Sequence, residues 1–234
     1  MPVLAGIATH QGGRSANADA AVVHRYGSGD VTTAVVVDGI GSDQEVVDMV
    51  LVAAEVIART AARTSPVAGI MAAAAMTADT AYLDPGPDAV AVCAMVAPER
   101  GTLKIGWIGD CRAYAWTGEE LVQVTEDHTM GRRMRVAGWP EDVARKVDNW
   151  VRATVSMATI STVMEARIED EDLPILVLLT SDGVHDALTH DQLVKLVRQP
   201  ASPQSLADAL VAEAVAQPGD EPADNATAVV LLLS

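Results

Sequence analysis

The stretch Ala34-Val35-Val36-Val37-Asp38-Gly39-Ile40-Gly41, AVVVDGIG, carries an apolar run built for a protein interior straight into a carboxylate and a glycine. An alanine and three valines closed by a turn signal predict a buried strand. The same junction returns in LLTSDGV, where residues 178–181 lead into Asp182-Gly183, and more loosely in IGWIGDCR around Asp110. Asp224-Asn225 precedes the last apolar run, and Asp19 stands at the entrance to an early one. One such junction is an ordinary turn, but a set of them at strand ends points to carboxylates delivered to one place. Glycine after aspartate opens backbone angles closed to other residues, so sharp turns are expected at Gly39 and Gly183.

Around these junctions β-branched clusters predict strands at 3–9, 20–26, 31–37, 89–96, 102–108, 112–116, 121–124, 175–180 and 226–233. Short glycine-containing connections such as YGSGD at 26–30 and PERG at 98–101 make several of them antiparallel hairpins. Ser42-Asp43-Gln44-Glu45 reads as a capping box opening a helix to about residue 63, and Ser65-Pro66 opens an Ala/Met-rich helix to about residue 82. Two more helix starts lie at Thr189 and at Ser202-Pro203. Strands segregated from paired helices indicate an α+β sandwich, not the alternation of a nucleotide-binding βαβ fold. No linker or long repeat divides the chain, so one domain over 1–234 is expected.

With 50% hydrophobic residues and no Phe among 234, the core must be aliphatic. A formal charge of −16 repels a phosphate backbone, which argues against nucleic acid as a partner. Cys93 and Cys111 lack metal or redox spacing and are expected reduced and buried. The N-terminus has no secretory pattern and no apolar run approaches membrane-spanning length, so a soluble, cytoplasmic protein is expected. Residues 130–160 fit the map poorly: they hold Arg132, Arg133, Arg135, Arg145, Lys146 and Arg152, with Trp139 and Trp150 beside them. A solvated excursion and a flap over an anionic site both fit this stretch.

Converging carboxylates repel one another unless cations or raised pKa values intervene. An all-oxygen donor set without His or Cys suits Mg²⁺ or Mn²⁺ better than zinc. His10, His128 and His185 show no metal-ligand spacing, and local hydrogen bonding is their expected role.

Five ordered motifs then resemble the metal-dependent protein serine/threonine phosphatases of the PPM, or type 2C, family in its bacterial form. They are QGGRSANAD at 11–19, VVVDGIG at 35–41, GWIGDCRAY at 106–114, LLTSDGVHD at 178–186 and ADNATAVVL at 223–231, with DHTM at 127–130 resembling the element before the family's flap. The resemblance covers nearly the whole chain and implies a four-layer αββα sandwich, two antiparallel sheets flanked by helix pairs. It implies that Asp38 bridges two Mn²⁺ or Mg²⁺ ions with the Gly39 carbonyl on one, and that Asp182 and Asp224 complete the other ion's shell. Asp110 and Asp19 would hold a third, weaker ion, with Asp19 also in the outer shell of the pair. Arg14 would grip the phosphate, and a hydroxide activated by both ions would attack phosphorus. The implied substrate is a phosphoserine or phosphothreonine protein, a kinase or its targets among the partners, in signal transduction.

The departures are Ala18 where the family carries an acidic residue or glutamine, Ile40 where many members carry histidine, Cys111 in place of serine, and a post-flap stretch preserved only as Asn149 and Arg152. They motivate an alternative, a pseudophosphatase or regulatory phosphoprotein-binding module with a divergent flap. An aspartyl-phosphate enzyme would need a nucleophilic DxD or a parallel βα sheet, and neither is evident.

Overall fold

The computed structural model describes residues 3–27, 30–77, 86–199, 202–217 and 222–233. Its strands are β1 (Leu4–His10), β2 (Asp19–Tyr26), β3 (Val31–Gly39), β4 (Ala89–Ala97), β5 (Thr102–Ile108), β6 (Arg112–Trp116), β7 (Leu121–Gln123), β8 (Met164–Glu169), β9 (Leu176–Thr180) and β10 (Ala226–Leu232). The helices are α1 (Gln44–Ala61), α2 (Pro66–Thr77), α3 (Met130–Val136), α4 (Glu141–Ala144), α5 (Asp182–His185), α6 (His190–Val197) and α7 (Pro203–Val215). One sheet has the order β2-β3-β4-β5-β8, the other β1-β10-β9-β6-β7, and neighbouring strands pair antiparallel throughout.

The layering explains the unbroken valines of the opening stretch. Side chains alternate between the faces of a strand, and here both faces are covered. Val35 and Val37 pack outward with Val50 and Ile57 of α1 and Ile70 of α2. Ala34 and Val36 point the other way, into an inter-sheet core with Ile105, Val177, Leu179 and Val229. Beyond the second sheet, Leu178 and Val230 meet Leu193 of α6 and Leu206 and Leu210 of α7. The architecture is the αββα sandwich, with an interior free of phenylalanine filled by valine, alanine and leucine. Cys93 and Cys111 are buried free thiols, and burial pushes both upward from the ordinary thiol range.

Two local expectations change. Helix α1 begins one residue later than a Ser42 cap would place it: Asp43 is the N-cap without a side-chain cap bond, and Ser42 accepts a hydrogen bond from Ser15 at 3.1 Å. Strand β8, MEARIE, was not foreseen, because alternating charges hide an edge strand whose order comes from pairing with β5. Helix α2 is seen to Thr77; the remainder of the stretch expected to residue 82 lies outside the described residues, as does part of the 26–30 turn. The capping box that does form is at α6, where Thr189 and Gln192 satisfy each other's backbone amides.

Residues 130–160 form α3, α4 and a return segment tied to the body. Thr129 bridges to Val151, the Met130 amide donates to the Trp150 carbonyl at 2.8 Å, and the Arg152 amide to the His128 carbonyl at 2.7 Å. Arg135 spends its guanidinium inside the excursion, forked onto Asp148 and Glu141. Among the described residues no helix is long and apolar enough to cross a membrane.

Candidate metal centre

The carboxylates meet at one end of the sandwich. Asp19 opens β2 and faces Asp38, near the end of β3, in the register of the first sheet. Asp110 sits in the two-step turn between β5 and β6, after Gly109 at φ 93°, where the left-handed conformation favours glycine. From the second sheet, β9 ends at Thr180 and delivers Asp182 to the start of α5, and Asp224 precedes β10.

Gly39 and Gly183 are needed for a reason other than the one expected. Neither has positive φ; both allow close approach. A Cβ on Gly39 would lie 2.5 Å from Val46 Cγ1 and 2.8 Å from the Ala18 carbonyl oxygen, and one on Gly183 only 2.0 Å from the Asn225 carbonyl oxygen. The turn after Asp38 is made three residues on, by Gly41 at φ 113°.

Arg14, Asp38, Gly39, Asp110, Asp182 and Asp224 line one cavity of about 280 Å³, with Ile40 and Asn149 also on its wall. Asp19, 5% exposed, lies behind it. Ser181 donates to Asp19 Oδ2 at 2.7 Å and accepts from the Thr227 amide at 3.0 Å, so the residue before Asp182 braces Asp19 across the two sheets. Asn225 does the same for the loop that carries Arg14: its amide donates to the Gln11 and Ala16 carbonyls at 2.7 and 3.0 Å and accepts from the Ala18 amide at 2.8 Å. These two bracing roles were missed in the sequence, although the SD and DN pairs that contain them were visible. Arg14 donates to Asp224 at 2.5 Å, which with its charge raises the Arg14 pKa further.

The electrostatics are those of crowded acids. Burial, then Asp182, Asp19 and Asp110, holds Asp38 well above the usual carboxylate range. Burial pushes Asp19 and Asp182 up to about 6 and Asp110 up to about 7, with neighbouring aspartates adding to each. Asp186, one turn beyond Asp182, is raised to about 6 by burial and by Asp182. Asp19 Oδ1 is buried with no hydrogen-bond partner among the described residues.

An oxygen-only donor set, an orphaned buried carboxylate oxygen and pKa values raised by mutual repulsion are what a hard divalent cation would relieve. The residues therefore fit such an ion. Among the described residues no group of three or more His, Cys, Asp or Glu side chains is already disposed as a metal-holding set. The pairing of Asp224 with Arg14 occupies one of the donors instead.

The three histidines take local roles. His10 Nδ1 accepts from the Gly12 amide at 2.8 Å, His128 Nδ1 from the Gly109 amide at 3.2 Å, and His185 is buried against the Thr180 hydroxyl at 2.8 Å.

The fold is that of bacterial serine/threonine phosphatases, over the full length of the chain. An S. agalactiae serine/threonine phosphatase superposes with a TM-score of 0.85 at 15% identity, covering 99% of this chain and 100% of that one. The Mycobacterium tuberculosis serine/threonine phosphatase PstP/Ppp gives 0.78 at 20% identity, with 100% of both chains covered. The catalytic domain of PstP in complex with two manganese ions gives 0.74 at 20%, covering 98% and 97%. No protein-family model and no curated protein matches the sequence.

Proposed function

We propose that the protein is a metal-dependent phosphoprotein phosphatase that hydrolyses phosphoserine and phosphothreonine. The observation that carries this reading is the convergence of Asp38, Asp110, Asp182 and Asp224 from both sheets on one cavity that also holds Arg14. Asp38, Gly39, Asp182 and Asp224 would hold a pair of Mn²⁺ or Mg²⁺ ions, with Asp19 and Asp110 serving a third; a fold relative crystallised with two manganese ions supports that choice. When bound, such ions acidify water and stabilise charge on a transferring phosphoryl group.

The chain's own residues do the rest. Arg14, held on one side by Asp224, presents a planar multidonor guanidinium in the cavity, suited to two phosphate oxygens at once. Asn225 and Ser181 fix the loop and strand ends that carry Arg14 and Asp19, so donors and acceptors do not have to be ordered at the moment of reaction. Ile40, half exposed on the cavity wall, has no proton to give the leaving serine or threonine oxygen.

The test is hydrolysis of p-nitrophenyl phosphate and of a phosphothreonine peptide with Mn²⁺, wild type against Asp182→Asn and Arg14→Ala. The expected result is loss of at least a hundredfold in kcat for Asp182→Asn and a raised KM for Arg14→Ala. Equal activity in Asp182→Asn overturns the assignment. Mn²⁺ binding without hydrolysis of either substrate selects the second reading, a phosphoprotein-binding pseudophosphatase, which the replacement of the family's polar residue by buried Ala18 favours.

A further inference from the structure

At the open edge of the sandwich, where Val124 follows β7 and Met164 stands on edge strand β8, a basin of about 370 Å³ shares no lining residue with the metal cavity. Its floor continues the inter-sheet core outward: Trp107 belongs to that core, and Met164 pairs with it across β5 and β8. Val136 of α3 completes the apolar lining and is 73% exposed; Met164 is 47% exposed. Such side chains at the mouth of a core, uncovered by the chain itself, favour contact with an apolar body.

The rim carries the charge. Arg132, Arg133 and Arg152 line the basin together with Glu126 and Asp127. Both acids are already matched: Glu126 accepts from Arg132 at 3.0 Å, and Asp127 takes both forks of Arg112, down to 2.6 Å. Among the described residues Arg133 and Arg152 form no ion pair and no side-chain hydrogen bond. Burial and Arg152 lower the pKa of His128. Two uncompensated guanidiniums therefore stand over an apolar floor on a chain of net charge −16. That long-range field disfavours multiply charged anions, whereas a single carboxylate can use the guanidinium forks while its hydrocarbon part supplies affinity.

We propose that this basin is a second binding site, for a singly charged organic anion with an apolar body. It lies behind the metal centre: in the extended return segment Asn149 and Val151 face the metal cavity and Arg152 the basin, and His128 Nδ1 accepts from the amide preceding Asp110. Binding here does not depend on the metal centre or on phosphatase activity.

The experiment is a titration of the full chain, without metal, with 2-naphthoate, following the Trp107 indole N–H and the Met164 methyl by NMR. Saturable shifts at both are expected, with apparent Kd raised at least tenfold by Arg133→Gln/Arg152→Gln and, separately, by Met164→Glu, all at exposed positions. Neutral 2-naphthylmethanol binds at least tenfold more weakly, and inorganic phosphate leaves both signals in place. No saturable shift, equal binding of the alcohol, or undiminished binding by both variants overturns the proposal.

Discussion

Asp38 is a crowded acid, buried beside Asp19, Asp110 and Asp182. The linkage between these groups and stability has a definite sign. Their folded-state pKa values lie above the ordinary 3.8, at about 6 for Asp19 and Asp182 and about 7 for Asp110. The stabilising contribution is therefore complete below the unfolded pKa and lost as pH rises through the folded values. Metal-free protein is expected to lose thermal stability between about pH 5 and about pH 8, and Asp38→Asn to melt above wild type at pH 8 because it removes the most strongly repelled charge of the set. Thermal melts across pH check this; a wild-type midpoint that climbs with pH, or an Asp38→Asn midpoint below wild type at pH 8, contradicts it. Asp19, Asp38, Asp182 and Asp224 stood out in the sequence because each lies near a strand end or beside a turn signal, whereas Arg14, in the loop between β1 and β2, was pointed to only by the family resemblance. The bracing by Ser181 and Asn225 was not legible, because hydrogen bonds between residues some 160 to 210 positions apart leave no local pattern.

At the level of elements, the site depends on how closely β9–α5 and the start of β10 approach. Gly183 lies where a Cβ would sit 2.0 Å from a backbone oxygen of Asn225, whereas at Gly39 the backbone oxygen of Ala18 is 2.8 Å away and the nearer atom, at 2.5 Å, belongs to the movable Val46 side chain. Gly183→Ala is expected to cost about 2–3 kcal/mol, the upper part of the overpacking range, and to weaken Mn²⁺ binding by displacing Asp182. Gly39→Ala should cost less. Chemical denaturation of both variants decides the order, and a Gly183→Ala protein as stable as wild type sinks the close-approach argument. The strands with one or both faces in a core were readable from their β-branched runs, to within a residue or two. Strand β8 was not, since its Met164, Ala166 and Ile168 alternate with charged residues over only six positions and include a single β-branched residue, Ile168, so no β-branched cluster marks it. The excursion at 130–160 was marked by its basic residues and its poor fit to the map, but its internal order was not, because that rests on the Thr129–Val151 bridge and the Arg135 forks.

Across the whole molecule, both sheets bring acids to one end of an already acidic chain, an arrangement that opposes folding unless positive charge is supplied. Added Mn²⁺ should therefore raise the melting temperature saturably, by more at about pH 7.5 than at about pH 5.5, where protons already neutralise the cluster; a hundredfold excess over Kd is worth about 2.7 kcal/mol. Mg²⁺ should act in the same direction. Isothermal titration of metal-free protein with Mn²⁺ at about pH 7.5, wild type beside Asp38→Asn, tests the central claim most directly. Two ions bound per chain by the wild type, with binding lost or reduced to a single weak site in Asp38→Asn, is the expected result. No saturable Mn²⁺ binding, or binding undisturbed by Asp38→Asn, contradicts it.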